Sequence, residues 1–144
     1  MMRYLLDTNI LSNITKPEPS TSLMTWMAEQ ADDDLCIASL TIAEIHRGIL
    51  EKPAGKKRAA LEAWFVGNEG PQSLFAGRIL PFDEKAALIW GELMAHGKAT
   101  GRPRSALDTI VAAIAQSNSC IVVTDNEGDF QGIDIINPLR ATVI

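Results

Sequence analysis

The sequence has few cysteines and histidines and no long hydrophobic run. Cys36 and Cys120 are the only cysteines, each lies in an apolar, strand-like segment, and no histidine lies nearby. That pattern excludes a zinc site and predicts two buried free thiols. No apolar run approaches the roughly 20 residues that a membrane helix needs. The first nine residues, with one basic residue and a brief apolar stretch, are not typical of a secretory signal, so we expect a cytoplasmic protein without a membrane segment.

The sequence gives little support for catalysis by histidine or for a glycine-rich phosphate-binding loop. His46 lies two residues from Glu44 on a predicted helix and so points elsewhere, and His96 is expected to be exposed. There is no G-x-G-x-x-G pattern, and Lys56 is followed by a second lysine instead of the serine or threonine of a P-loop. These gaps disfavour a serine–histidine or cysteine–histidine nucleophile and a P-loop nucleotide site.

The bulk composition is that of a folded domain, with 144 residues, 47% hydrophobic and 22% charged. The net charge of −5 argues against a general electrostatic grip on nucleic acid. Any contact with a nucleic acid therefore has to be local, at a site where bound metal reverses the sign of the field.

Short apolar segments alternate with helical patterns along the whole chain. Near-continuous apolar strands are buried on both faces, which predicts a mainly parallel sheet with helices on both sides. The predicted strands cover residues 4–6, 35–38, 78–80 and 120–123, with a last edge strand within 133–136. Helices are predicted at 10–14, from Ser20 or Thr21 to about 30, from Thr41, at 56–66, after Asp83 and from Ser105, with a loop at 67–77.

Acidic residues recur where these strands end. Asp7 directly follows the first strand, and Glu44 is placed in the first turn of the helix after the second strand. Asp108 lies in the first turn of the helix that feeds the fourth strand, and Asp125 and Asp129 lie just beyond that strand. Because ligands of open parallel sheets collect beyond the carboxyl ends of the strands, we expect these acids to converge there.

Each acid also has a purely structural explanation. Asp7 could close the strand in an Asx-turn, Glu44 could complete a capping box with Thr41, and Asp108 could favour the positive end of its helix. Taken together, three or four converging carboxylates repel strongly unless they are protonated or bind metal. Oxygen ligands without histidine or cysteine fit Mg²⁺, with Mn²⁺ as the second choice.

Four segments in order resemble the motifs of PIN-domain proteins. The resemblance spans residues 5–130, and it is closest to the VapC branch, which includes the FitB proteins. Any one motif is weak, but four in order at these separations are specific. The matching segments are Leu5–Ser12 around Asp7, Ser39–Gly48 around Glu44, Leu107–Ala115 around Asp108 and Val123–Phe130.

The resemblance implies a fold, an activity and partners. The fold is a three-layer α/β/α sandwich with a short, mainly parallel sheet, as one PIN-like domain over residues 1–144. The activity is that of a Mg²⁺-dependent endoribonuclease, the toxin of a type II toxin–antitoxin pair. The implied partners are a VapB-type antitoxin, an RNA substrate, a second copy of the chain in a homodimer, and promoter DNA bound indirectly through the antitoxin.

The fourth motif departs from the family pattern. The residue after Thr124 is commonly arginine in the family, whereas this chain has Asp125. Two acids, Asp125 and Asp129, can therefore serve as the fourth catalytic carboxylate. The motif match favours Asp129, and the position of Asp125 nearer the strand end keeps it as an alternative.

A mechanism can be stated as a hypothesis for these residues. Asp7 and Asp108 are direct or water-bridged metal ligands, while Glu44 and the fourth-motif acid complete the site or orient the water that cleaves RNA. The candidate substrate-binding residues are Thr8, Asn9 and Ser12, with helix capping as their alternative role, and Arg47, Arg102 and Arg104, with solvated surface as theirs.

Two other functions remain open from the sequence. The chain could be a PIN-fold protein-association module with little or no catalysis. It could also be another metal-dependent phosphoryl hydrolase that uses the same carboxylates.

Overall fold

A computed structural model describes residues 2–140 and contains one five-stranded sheet in the order β3-β2-β1-β4-β5. All four neighbouring pairs are parallel, and β1 lies at the centre. Every strand is short, and the two edge strands have only two residues each. The strands are β1 (Arg3–Leu6), β2 (Leu35–Ala38), β3 (Ile79–Leu80), β4 (Cys120–Val123) and β5 (Ile135–Ile136).

Helices connect these strands and cover both faces of the sheet. Ser20, Asp83 and Ser105 cap three of them, each accepting a hydrogen bond from the backbone N–H three residues later. Short 3-10 turns lie at Asp32–Asp34 and Glu127–Phe130. The helices are α1 (Thr8–Ile14), α2 (Thr21–Ala28), α3 (Ser39–Leu50), α4 (Lys56–Val66), α5 (Pro71–Leu74), α6 (Glu84–Ala99) and α7 (Ala106–Ser117).

The core consists of two layers because successive strand residues point to opposite faces. Leu5 of β1 packs with the buried residues of α7 and with Ala86 of α6 on one face. Leu6, the next residue, packs with Ile10 of α1 and Leu23 of α2 on the other. This arrangement confirms the predicted three-layer α/β/α sandwich with a parallel sheet.

Two local predictions are wrong. Thr41 does not cap a helix, because β2 runs directly into α3, which begins at Ser39 with Ala38 in the capping position. Thr41 is instead fully buried within the helix, and Glu44 lies in its second turn, where no capping box can form. The predicted loop at 67–77 contains the short helix α5, which begins at Pro71, a residue with the backbone angle that suits a first helical position.

Cys36 and Cys120 are buried free thiols, as predicted. Burial, followed by the proximity of Cys36, raises the pKa of the Cys120 thiol to about 11, which makes it a poor nucleophile at neutral pH. Within residues 2–140, no helix combines the length and the apolar character needed to cross a bilayer.

Candidate active site

Asp7 lies at the centre of a polar site at the carboxyl edge of the sheet. Its backbone N–H continues the β1–β4 ladder by donating to the Val123 carbonyl at 2.9 Å, so its side chain leaves the sheet where both strands end. Oδ1 accepts a hydrogen bond from the Thr8 N–H at 2.9 Å and thereby caps α1. Oδ2 accepts from the Thr124 hydroxyl at 2.9 Å. Asp7 is only 5% exposed, so these hydrogen bonds replace most of its hydration.

Asn9 and Thr124 join the two strand ends that form this edge. The Asn9 amide nitrogen lies 3.3 Å from both Asp7 Oδ2 and Thr124 Oγ1, and its Oδ1 accepts from the Asp125 N–H at 3.2 Å. The Thr124 hydroxyl also accepts from the Asn126 N–H at 3.0 Å. The turns after β1 and β4 are therefore held in one fixed arrangement around Asp7.

Thr8 connects Glu44 to the same site. Its hydroxyl lies 2.7 Å from Glu44 Oε1 and 3.3 Å from the hydroxyl of Thr41. Because the Thr8 N–H binds Asp7 while its hydroxyl donates to Glu44, one residue positions two of the four acids. Thr41, for which the sequence predicts only a capping role, instead lies beside the Thr8 hydroxyl in a fully buried position.

Asp108 reaches the edge from the opposite face of the sheet. The helix α7 leads into β4 and therefore starts at the edge where the parallel strands end, with Ser105 as its cap. Burial raises the pKa of Asp108, and the hydrogen bond with the Asp129 carboxyl and the negative charges of Asp7 and Asp129 raise it further, to about 6. A carboxyl of this kind is partly protonated near neutral pH unless a cation is present.

The structure brings Asp129 into the acid cluster and leaves Asp125 outside it. Asp129 lies in the Glu127–Phe130 turn, which is anchored by the buried Phe130, and its carboxylate accepts a hydrogen bond from the Asn126 amide. Both acids are exposed, but the carboxylate of Asp125 faces Asn137, which follows β5, at 3.4 Å. Of the two alternatives in the fourth motif, only Asp129 therefore acts on the charge of Asp7 and Asp108.

The pKa of Asp7 reflects both its burial and the charges of two neighbouring acids. Burial is the largest cause that raises it, the hydrogen bonds from Thr124 and Thr8 lower it, and the charges of Glu44 and Asp129 raise it again. The net direction is upward, so ionising the whole cluster is unfavourable without a compensating positive charge.

The donor set suits a hard cation, although the side chains are not yet arranged around one. Within residues 2–140, no three Asp, Glu, His or Cys side chains stand in a ready metal-binding arrangement. Glu44 and Asp129 are turned toward the Thr8 hydroxyl and the Asn126 amide, respectively. A hard divalent cation fits the chemistry of the cluster, because all four candidate ligands are carboxylates and the pKa values of Asp7 and Asp108 remain raised despite their hydrogen bonds.

The predicted substrate-binding residues fall into three places. Thr8 and Asn9 are hydrogen-bonded to the acids. Ser12 is exposed and lines a groove of about 290 Å³ beside Thr8 and Glu44, between α1, α3 and α4. Arg47 faces solvent on α3 and pairs with Glu51 at 3.2 Å, as expected for its alternative role as a solvated surface residue. Arg102 and Arg104 line a different cavity, which Asp129 also borders.

Neither histidine takes part in the acid cluster. His46 is exposed and stacks on the ring of Phe65, with the centroids 5.2 Å apart. His96 is also exposed and lines the cavity that contains Arg102. Sequence reasoning did not assign a site role to Thr124. Its position directly after β4, next to β1 and Asp7, is the signal that could have identified it.

A parallel sheet with four acids at its carboxyl edge is the arrangement of a PIN domain; here the residue after β1, the helices α3 and α7 and the turn after β4 supply the acids. Residues 4–136 match the PIN domain family, and the chain belongs to it. Within that family it is related to the VapC and FitB proteins. A VapC ribonuclease of Sinorhizobium fredii is 35% identical over 136 residues, which are 93% of this chain and 96% of that protein. The toxin FitB of Neisseria gonorrhoeae is 34% identical over 131 residues, 91% of this chain and 93% of that protein.

Solved structures show the same fold. FitAcB from Neisseria gonorrhoeae superposes with a TM-score of 0.88 at 32% identity, covering 96% of this chain and 99% of that chain. DNA-bound VapBC from Salmonella typhimurium superposes with a TM-score of 0.73 at 27% identity, again covering 96% of this chain and 99% of that chain.

Proposed function

We propose that this chain is a Mg²⁺-dependent endoribonuclease and the toxin of a type II toxin–antitoxin pair. The observation that carries the proposal is the convergence of Asp7, Glu44, Asp108 and Asp129 at one sheet edge, where burial and mutual repulsion raise the pKa of Asp7 and Asp108. Membership of the PIN family and the similarity to a VapC ribonuclease support RNA as the substrate.

In this proposal Asp7 and Asp108 hold the cation. They are the two acids whose ionised forms most need a positive charge nearby. Mg²⁺ suits an all-oxygen ligand set, and Mn²⁺ is expected to substitute for it. When bound, the ion would lower the pKa of a coordinated water and would offset negative charge on the scissile phosphate.

Glu44 and Asp129 complete the site from either side. Glu44 accepts a hydrogen bond from the Thr8 hydroxyl, and Asp129 accepts one from the Asn126 amide. Each carboxylate is therefore held by one neighbour and can orient a water with its other oxygen. Asn9 and Thr124 keep Asp7 in place through hydrogen bonds to its Oδ2. These hydrogen bonds fix the backbone and the side chains around Asp7, and the carboxylates of Glu44 and Asp129 would have to turn toward the cation to complete the site.

The partners are inferred from the relatives. The solved neighbours include DNA-bound VapBC, so we infer that this chain binds a VapB-type antitoxin and reaches promoter DNA only through it. The acidic net charge of −5 agrees with an indirect role in DNA binding. We also infer a homodimer that acts in the cytoplasm.

The test is cleavage of RNA by the purified chain with Mg²⁺ or Mn²⁺. Cleavage should cease with EDTA and in the variant that carries both Asp7→Asn and Asp108→Asn. Undiminished cleavage in that double variant would contradict the proposal. Hydrolysis of p-nitrophenyl phosphate but not of RNA would identify a different phosphoryl hydrolase. An absence of any hydrolysis and of toxicity on expression would leave the association module as the function.

A further inference from the structure

A cavity of about 830 Å³ lies next to the acid cluster, and the proposed metal site does not occupy it. It opens to solvent and is lined by the C-terminal part of α6, the loop at 100–105 and the turn at 128–132. The volume falls within the range of about 300 to 1,000 Å³ that is usual for small-molecule sites, so a nucleotide unit fits. Asp129 borders the cavity and also acts on the charge of Asp7 and Asp108, which makes the two sites contiguous.

The residues that line the cavity carry more positive than negative charge, which is the opposite of the chain as a whole. His96, Arg102 and Arg104 line it, whereas Asp129 is the only acidic residue among the lining residues. Among residues 2–140, neither of these arginines forms an ion pair, although Arg47, Arg58 and Arg140 do. In a protein of net charge −5, two arginines without acidic partners beside an acid cluster favour an anionic ligand.

Arg104 forms a fixed part of the wall. Its Nη2 donates to the Gln131 carbonyl at 2.8 Å, while its Nε is buried without a partner among the described residues. Gly97 of α6 allows this packing, because a Cβ there would lie 2.8 Å from the Arg102 carbonyl oxygen and 3.1 Å from the Arg104 Cγ. The guanidinium of Arg104 is therefore held in place, whereas Arg102 is exposed and can meet a ligand.

The start of α7 adds backbone donors on the same wall. Ser105 borders the cavity as the cap of this 12-residue helix. The first N–H groups of a helix lack partners within the helix and attract anions such as phosphate. The cap and Asp108 lie within the first turn, so an anion at the helix start is a near neighbour of the acid cluster.

We propose that this cavity binds the phosphodiester adjacent to the scissile one in a single RNA strand, with Arg102 and the start of α7 as the anion-binding groups. The proposal rests on the proposed function, since it places the scissile phosphate at the acid cluster. Arg104 is a positioning residue that shapes the cavity and holds the turn that carries Asp129.

The proposal can be tested by binding without cleavage. A fluorescein-labelled 12-nucleotide RNA is titrated with Asp108→Asn protein in EDTA over a range of salt concentrations. Adding Arg102→Gln should weaken binding by about threefold to fivefold at low salt. It should also reduce the slope of log K against log salt by about 0.7, the value for one phosphate contact on a single strand. Adding Lys57→Gln instead, the same charge change on an exposed residue of α4, should leave the slope unchanged.

A second measurement locates the contact. RNAs that carry one uncharged methylphosphonate linkage at successive positions are compared in the Asp108→Asn protein with and without Arg102→Gln. At one position, the methylphosphonate should weaken binding to the protein that retains Arg102. The same methylphosphonate should not weaken binding to the Arg102→Gln protein, because the contact is already lost there. Equal losses for Arg102→Gln and Lys57→Gln, or losses that add at every linkage, would overturn the subsite. Failure of wild-type protein to cleave RNA would instead count against the proposed function and is scored separately.

Discussion

The hydroxyl of Thr124 lies 2.9 Å from Oδ2 of Asp7, across two neighbouring parallel strands. Thr124 is fully buried, and the same oxygen accepts the Asn126 N–H. One hydroxyl therefore holds the metal-binding candidate at the end of β1 and organises the turn that carries Asp129. The bond also lowers the pKa of Asp7 against the opposing effect of burial.

Thr124→Val should lower both stability and the ionisation of Asp7. It removes the Thr124 hydrogen bond to Asp7 Oδ2, which keeps only the Asn9 amide at 3.3 Å, and it removes the acceptor of the Asn126 N–H. The loss should cost about 1 to 3 kcal/mol in total. Because the lost bond favoured the carboxylate, the pKa of Asp7 rises further and the acidic limb of the pH–rate profile moves to higher pH. Thr124→Ser keeps the hydroxyl and is the matched control. An unchanged profile in Thr124→Val, measured on folded protein, would contradict this role.

Asp129 and Asp125 should differ sharply in their effect on activity. Asp129→Asn removes a carboxylate that faces Asp7 and Asp108, and RNA cleavage should fall by about 10- to 100-fold. Asp125→Asn makes the same chemical change at an exposed residue that faces Asn137, so cleavage should stay near the wild-type rate. Initial rates at saturating Mg²⁺ measure both, and a larger loss in Asp125→Asn would reverse the assignment.

The sequence predicted the strands and the converging acids because both depend on local patterns and chain direction. Runs such as Cys120–Val123 are short and apolar throughout, and parallel strands must end at a common edge. The motif match favours Asp129 over Asp125, but the contacts of the two acids required three-dimensional information, since both follow the same strand. The capping box at Thr41 failed because β2 continues into α3 without a turn, which no local pattern reveals. Thr124 acquires its role only through its pairing with the end of β1.

Stability without divalent cations should depend on the ionisation of Asp108. Its pKa of about 6 in the folded protein lies above the usual carboxyl value. The proton on Asp108 therefore stabilises the folded protein fully at pH values below that usual value, and this stabilisation is lost as pH rises through 6. Asp108→Asn should therefore gain stability relative to wild type between pH 4.5 and 7.5, by about 1 kcal/mol after allowance for solvent screening.

Urea unfolding in EDTA at the two pH values measures that difference. Adding Mg²⁺ to the wild type should remove the advantage of the variant at pH 7.5, because the cation offsets the charge of the cluster. A difference that is the same at both pH values would mean that ionisation of Asp108 does not oppose folding.

Divalent cations should stabilise the protein through Asp7 and Asp108. A ligand at ten times its Kd adds about 1.4 kcal/mol to the free energy of unfolding, which corresponds to a rise in Tm of about 3 to 6 °C for a domain of this size. The double variant Asp7→Asn and Asp108→Asn should show no such rise on addition of Mg²⁺ or Mn²⁺. Asp33→Asn, in the exposed Asp32–Asp34 turn, is the control for nonspecific binding to acids. An equal rise in wild type and double variant would place the cation elsewhere.

Two glycines of α6 should respond in opposite ways to alanine. Gly97→Ala places a methyl group 2.8 Å from the Arg102 carbonyl oxygen and 3.1 Å from the Arg104 Cγ, which forces the 102–104 segment off the helix and should cost about 1 to 3 kcal/mol. Gly91→Ala meets nothing within 4 Å and should stabilise the helix by about 0.5 to 1 kcal/mol. Because Arg104 holds the Gln131 carbonyl, Gly97→Ala should also reduce RNA cleavage, whereas Gly91→Ala should not. Urea unfolding and initial rates of RNA cleavage are measured for both variants. If the Gly97→Ala protein is as stable and as active as the Gly91→Ala protein, close packing of the 102–104 segment on α6 does not control the turn that carries Asp129.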